Sequence, residues 1–238
     1  MGASRETPSS DLIPHTPARR AISDRVARSR REIPHFDLFC QADMTALHKY
    51  REQTKLARNG VAPTYNDILI YLVARLLPDF PVLNAWYEPA GVRVFKVVNV
   101  GFVVHTDEGV VLPTVFDADR KSLDQISQEA REMTQLARDG KLRASLQLDA
   151  GFTLSNIGPV GVDAFNAIIS PPQTGILAVG SIAHRPVVVD GGILVRPTAW
   201  IALTVDHRVV DGVVGANFLA ALRGRLESWT GEEARHGG

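Results

Sequence analysis

Seven histidines occur in the sequence, and one of them has neighbours that suggest chemistry. His207 lies in Asp206-His-Arg-Val-Val-Asp-Gly212, behind the apolar run Trp200 to Val205 and ahead of a helical pattern. An imidazole, with a pKa of about 6.5, takes and returns a proton near neutral pH, so a histidine projecting from a strand-to-helix junction can act as a general base. Asp211 can lock such a loop through an ion pair or a cap, and Gly212 accepts a sharp bend. The same residues also read as an ordinary N-cap, a turn glycine and a satisfied polar residue at a strand end, and spacing alone leaves both readings open.

The other candidates are weaker. His35 and His105 have no partner at metal-ligand spacing, so no metal is expected. Val98-Asn-Val-Gly101 lacks the glycine pattern of a dinucleotide-binding turn, and no Gly-x-Ser-x-Gly elbow surrounds Ser155, which argues against a serine-hydrolase triad. Cys40, in the apolar run from Phe36, reads as a buried structural thiol. A single cysteine excludes an intrachain disulfide framework and fits a reducing compartment, so the expected location is the cytoplasm.

The elements that must position His207 follow from periodicity. Residues 1–16 read as a mobile, polar N-terminal arm, residues 17–229 as one catalytic domain, and residues 230–238 as a polar tail. Ala18, Ile22 and Val26 share one face of a helix that opens at Pro17 and is ended by Ile33-Pro34. A strand over Phe36 to Ala42 precedes a helix from Met44 to Arg58, closed by Asn59-Gly60. Thr64 with Asp67, and Ser122 with Gln125, mark the starts of two further helices, to Leu77 and to Arg138. Residues 92–105 and 110–116 read as two strands joined by a turn over Thr106 to Gly109.

The last third reads as four short strands, Ile176 to Ile182, Val187 to Val189, Ile193 to Val195 and Trp200 to Val205, with a hairpin turn at Asp190-Gly191-Gly192. A closing helix over Val213 to Trp229 carries Leu219, Leu222, Leu226 and Trp229 on one face. Helices and mixed strands without a regular βαβ repeat predict an α+β fold, a two-layer sandwich of mixed sheet and helices. Twenty-six basic residues balance twenty-six acidic ones, so no global field draws the chain to nucleic acid or membrane. The longest apolar stretch, Ile68 to Leu77, is too short to span a bilayer.

The string Asp206 to Gly212 resembles the His-x-x-x-Asp-Gly signature shared by dihydrolipoamide acyltransferases and chloramphenicol acetyltransferase. Residues 151–182, GFTLSNIGPVGVDAFNAIISPPQTGILAVGSI, are similar to the central motif of the dihydrolipoamide acyltransferases, the catalytic cores of 2-oxo acid dehydrogenase complexes. The likeness also covers Arg20-Ala-Ile22, Ile33-Pro-His-Phe36, Tyr65-Asn-Asp67, Leu83-Asn-Ala85, Val98-Asn-Val-Gly101 and Asp117-Ala-Asp-Arg120, in one order from about residue 17 to 229. The Asp206-His207 pair resembles this family more than the His-His start of the chloramphenicol and condensation enzymes.

The resemblance implies a chloramphenicol acetyltransferase-like fold and transfer of an acyl group between dihydrolipoamide and coenzyme A. It assigns His207 as general base, Ser155 as the hydroxyl that hydrogen-bonds the tetrahedral intermediate, and Asp211 as a structural carboxylate paired with an arginine near the chain's start, Arg19, Arg20 or Arg25. It also implies coenzyme A as substrate, no metal, and a homotrimer with inter-subunit active sites. The lipoyl group comes in trans, from a lipoyl-bearing protein or other dehydrogenase-complex component, since no lipoyl-lysine hairpin is present. Two alternatives stay open: a free-standing acyltransferase for a small hydroxyl or amine acceptor, and a non-catalytic core scaffold. No large apolar residue follows Trp229, which points to a trimer that builds no larger core.

Overall fold

The structure, a computed structural model, describes residues 10–58, 60–107 and 109–232. In chain order the elements are α1 (Pro17–Glu32), β1 (His35–Asp43), α2 (Thr45–Ala57), α3 (Tyr65–Leu76), β2 (Ala85–Glu88), β3 (Gly91–Val94), β4 (Val100–Phe102), β5 (Val104–Thr106), β6 (Gly109–Val111), β7 (Thr114–Val115), α4 (Leu123–Arg138), β8 (Phe152–Asn156), β9 (Gly175–Val179), β10 (Ala183–Val189), β11 (Gly192–Asp206) and α5 (Gly212–Glu227). Seven strands form one mixed sheet in the order β1-β11-β9-β8-β4-β7, with β10 pairing the outer part of β11. Pairs β2–β3 and β5–β6 are separate hairpins. The α+β, two-layer expectation holds.

Patterning decides which face is covered. Alternate residues of the central strands, including Leu154, Leu177, Leu203 and Val205, pack with the nearly all-buried α3 and with the apolar stripes of α4 and α5. Both capping boxes read from the sequence are present, Thr64 with Asp67 and Ser122 with Gln125. Trp229 packs within its own chain, edge-on to Tyr50 and Tyr71. On the opposite face a small cluster of Ile33, Ala167, Ile169, Ile176, Ala178 and Ala202 fills part of the surface. Beside it Phe39 and Trp200 stay 47% and 36% exposed, so this face lacks a full second layer in the single chain. Helix α1 lies outside the core, held at its end by the Ser29 hydroxyl donating to Ile169 O at 2.6 Å.

Two strand boundaries differ from expectation. The run 92–105 is broken into β3, β4 and β5, and between β3 and β4 a side-chain amide takes over the backbone carbonyls. Asn84 Nδ2 donates to Phe95 O and Val97 O, and Asn99 holds Asp149 O and the Asp117 N–H. Conversely, the runs 193–195 and 200–205 are one fifteen-residue strand, β11. Pro197 sits inside it without cost, since its missing N–H faces the side where β1 ends and the chain turns into α2, with Met44 N–H donating to Pro197 O. The expected turn at Asp190-Gly191 forms, both residues having positive φ. The expected helix stop at Asn59, the turn residue Glu108 and tail residues 233–238 lie outside the described residues, as do residues 1–9 of the arm.

The glycines of the central motif have a packing reason. A Cβ on Gly158 would lie 2.3 Å from Gly180 O, and one on Gly180 would lie 1.9 Å from Asp163 O. Residues 158–163 therefore run against the end of β9 at backbone contact distance, with Ser181 N–H donating to Val162 O at 2.7 Å. Since neither contact is with a flexible side chain, Gly180→Ala should cost about 3 kcal/mol and lower Tm by roughly 5–10 °C in a calorimetric scan. Unchanged melting would mean that the segment yields freely.

Candidate active site

The loop after β11 is built around a carboxylate without access to water. Asp206 is 0% exposed, its N–H donates to Thr174 O at 2.8 Å, and its carbonyl accepts from Val209 and Val210 N–H, both at 2.9 Å. Its carboxylate accepts the Arg208 backbone N–H at 3.0 Å, Nε at 2.9 Å and Nη2 at 2.6 Å. Hydrogen bonding to Asp206 raises the Arg208 guanidinium above its ordinary pKa, although burial opposes this. The outer face of that guanidinium lies 3.8 Å from the centre of the Tyr87 ring.

His207 stands between these two anchored residues. Its N–H donates to Pro34 O at 3.0 Å, and its exposed ring meets Phe36 edge-on at 4.7 Å between centroids. Gly212 plays a different part from the one expected. It opens α5 without a positive φ, and its value is space, since a Cβ there would lie 3.2 Å from Phe36 Cε1. Asp211 occupies the N-cap position of α5, and its carbonyl accepts the Gly215 N–H, but its side chain makes no cap hydrogen bond. Among the described residues its carboxylate pairs with none of Arg19, Arg20 and Arg25 in the single chain, and the loop is locked by Asp206 instead.

Ser155 is buried, with its neighbour Asn156 at the end of β8. The register places Ser155 beside Ala178 and Ala178 beside Ala202, on the face away from the helices. Asp206 lies four residues beyond that row, roughly 13 Å along β11 and two strands, or roughly 10 Å, to the side. One chain therefore carries Ser155 and His207 towards opposite ends of its sheet and does not bring them together. Beside Asn156 a cavity of about 410 Å³ opens, with Tyr65, Asn66, Phe102, Arg131 and Arg138 in its wall, and Asn156 Nδ2 donates to Asn66 Oδ1 at 2.8 Å.

Cys40 is half-buried on β1, and desolvation raises its thiol pKa, which favours the protonated, unreactive form. Among the described residues no group of three or more His, Cys, Asp or Glu is placed to hold a metal ion. No helix of the described residues is long and apolar enough to cross a membrane.

Residues 7–231 match the family of 2-oxoacid dehydrogenases acyltransferase (catalytic domain). The chain belongs to this family. The dihydrolipoyllysine-residue acetyltransferase component of the pyruvate dehydrogenase complex of Rickettsia felis is 35% identical over 220 residues, covering 91% of this chain and 53% of its own length. The chain thus spans about half the length of that relative. The solved structure of Azotobacter vinelandii dihydrolipoamide acetyltransferase is 30% identical and superposes with a TM-score of 0.89, covering 96% of this chain and 98% of that one. A serine, a histidine and an asparagine of that enzyme were investigated for their role in its catalytic mechanism. Chloramphenicol acetyltransferase, 15% identical with a TM-score of 0.52 over 91% and 97% of the two chains, shares the fold.

The motif pointed to Asp211 as the structural carboxylate of this loop and to Asp206 only as a family likeness, with no role for an Asp206–Arg208 pair. An aspartate at the end of an apolar strand, with an arginine two residues on, was the signal that could have marked the pair. Arg208→Ala leaves a buried, uncompensated charge and should cost about 3 kcal/mol in chemical denaturation. Arg208→Lys, a point charge without the planar fork, should recover part of that. Equal stability of wild type and Arg208→Ala would remove the pair from its structural role.

Proposed function

We propose that residues 17–229, flanked by an arm over 1–16 and a tail over 230–238, transfer an acyl group between dihydrolipoamide and coenzyme A by direct thiol–thioester exchange. The observation that carries this reading is spacing within a family member. The serine, histidine and asparagine investigated in the Azotobacter enzyme stand fifty-two and four residues apart, as Ser155, His207 and Asp211 do here. The lipoyl group arrives from outside residues 1–238, on a lipoyl-bearing partner of a 2-oxo acid dehydrogenase complex. A reducing cytoplasm accords with the lone Cys40.

The chemistry follows from the groups available. A thiol with a pKa of about 8.5 is mostly protonated at neutral pH, and the exposed imidazole of His207 is a suitable base for it. His207 takes the proton from one thiol, and the resulting thiolate attacks the carbonyl carbon of the other's thioester. The oxyanion accepts a hydrogen bond from the Ser155 hydroxyl, a fixed donor worth on the order of a hundredfold or more in rate. Collapse breaks the original carbon–sulfur bond, and the leaving thiolate takes the proton back from His207. No step needs a nucleophilic side chain.

The two ends of the sheet support a homotrimer whose sites lie between subunits, with Ser155 from one chain and His207 from the next. The bare aromatic face of Phe39 and Trp200, the Asp211 carboxylate, unpaired among the described residues, and the exposed arginines Arg19, Arg20 and Arg25 leave surface and charge for such contacts. The cavity beside Asn156 has the volume of a small-molecule site.

The test is coenzyme A release with free dihydrolipoamide and a panel of acyl-coenzyme A donors. Expected are intersecting double-reciprocal plots, no turnover in His207→Ala with melting unchanged, and a loss of two to three powers of ten in Ser155→Ala. Because the Azotobacter enzyme has an asparagine at the corresponding spacing, Asp211→Asn should keep activity within about tenfold, and Asp211→Ala should lose more. Near-normal turnover in His207→Ala would overturn the assignment of the base. Release that needs a hydroxyl or amine acceptor instead of dihydrolipoamide would move the reading to that second class, and no release with any donor would leave a core scaffold. Light scattering at the mass of one chain would overturn the trimer.

A further inference from the structure

The acyltransferase reading uses His207 and leaves unexplained why an aromatic side chain from a different element closes over its loop. Tyr87 belongs to β2, which forms a two-stranded hairpin with β3 outside the main sheet. Its ring is half-buried and carries the Arg208 guanidinium 3.8 Å from its centre, while its N–H donates to Pro172 O at 2.8 Å. The neighbouring Trp86 fixes the hairpin, donating Nε1–H to Ala150 O at 2.9 Å, stacking edge-on with Phe95 at 4.9 Å and bridging to Gln173. Tyr87 is therefore a rigid wall and not a loose surface ring.

The position of that wall matters because of what lies on its other side. Arg208 has two faces to satisfy. Its edge is spent on the buried Asp206 carboxylate, and its π face, still partly open to solvent, is taken by Tyr87. A guanidinium with its edge paired can still swing about the carboxylate, and a ring at stacking distance removes that freedom. Since His207 is joined by peptide bonds to both ends of the Asp206–Arg208 clamp, swing of Arg208 reaches the His207 backbone and then its ring. On the far side, among the described residues, the Pro34 carbonyl holds the His207 backbone N–H and the edge of Phe36 meets the imidazole.

We propose that Tyr87 is a positioning residue for the His207 imidazole, acting through Arg208, in the acyl transfer assigned above. Tyr87 does not touch the reacting atoms. It holds the base in one orientation, so the interaction is felt in the chemical step and not in substrate affinity. The face of the ring does this, and the hydroxyl is dispensable.

Two readouts test this, one of them independent of turnover. Histidine-selective NMR of the full chain, with His207 assigned from the signal missing in His207→Ala, reports its ring directly. Tyr87→Leu should shift and broaden the His207 signal while the signals of His35, His48, His105 and His184 stay in place, and Tyr87→Phe should leave all of them unchanged. In the coenzyme A release assay Tyr87→Leu should lower kcat about tenfold with KM within about twofold, and Tyr87→Phe should restore it. Arg208→Lys, which keeps the charge near Asp206 but gives up the planar stack, should repeat the Tyr87→Leu pattern in the NMR signal.

An unchanged His207 signal in Tyr87→Leu overturns the proposal, whatever turnover does. A rise in KM with kcat intact, or failure of Tyr87→Phe to rescue, overturns it as well. If wild type releases no coenzyme A with any donor, the acyltransferase reading falls, and the His207 signal still decides whether Tyr87 orders that ring.

Discussion

A charge that must be buried organises the functional end of this molecule. Asp206 closes the longest strand of the sheet at a point where no water reaches it, and an isolated carboxylate there would be expensive. The nearest compensation is the guanidinium two residues on. To reach it the chain has to curl at once, which ends the strand, satisfies two further backbone N–H groups on the Asp206 carbonyl and turns His207 outward. The geometry of the loop is thus set by electrostatics before any requirement of catalysis enters. Among the described residues Asp211, the more visible acidic residue of the motif, contributes only its backbone within one chain.

Around that point the sheet is asymmetric. One face is packed by α3, α4 and α5 into a continuous apolar core, and the other is covered by a thin cluster and an ungainly pair of exposed aromatics. Burial on the first face fixes the register of β11 against β1 and β9, because a slip of one residue would exchange core and surface side chains along the strand. That register in turn fixes where Asp206 falls, and so where the loop starts.

Much of this was legible from residue patterns. Thr64 with Asp67 and Ser122 with Gln125 announced helix starts because a cap is a local bargain between side chain and backbone, complete within four residues. The closing helix and the packing of Trp229 followed from spacing alone. What escaped notice was decided by partners far away in sequence. Asn84 interrupts a β-branched run by capturing the Phe95 and Val97 carbonyls, and Pro197 is tolerated in β11 only because of where β1 stops. At the site, His207 and Ser155 were visible through motif, but the role of Asp206 depends on its burial, and Tyr87 reaches Arg208 from more than a hundred residues away. Neither burial depth nor such a contact is written in local sequence.

The placement of Ser155 and His207 towards opposite ends of one sheet has a kinetic meaning. A centre composed from two such ends, as proposed above, would exist only while two chains are in register with each other, and its concentration would be set by association and not by the amount of folded protein. On dilution the observed rate per chain would then fall before any chain unfolds, with an apparent reaction order in protein above one. Stability of the fold and persistence of the activity would become separate properties, governed by different surfaces of the same strand layer.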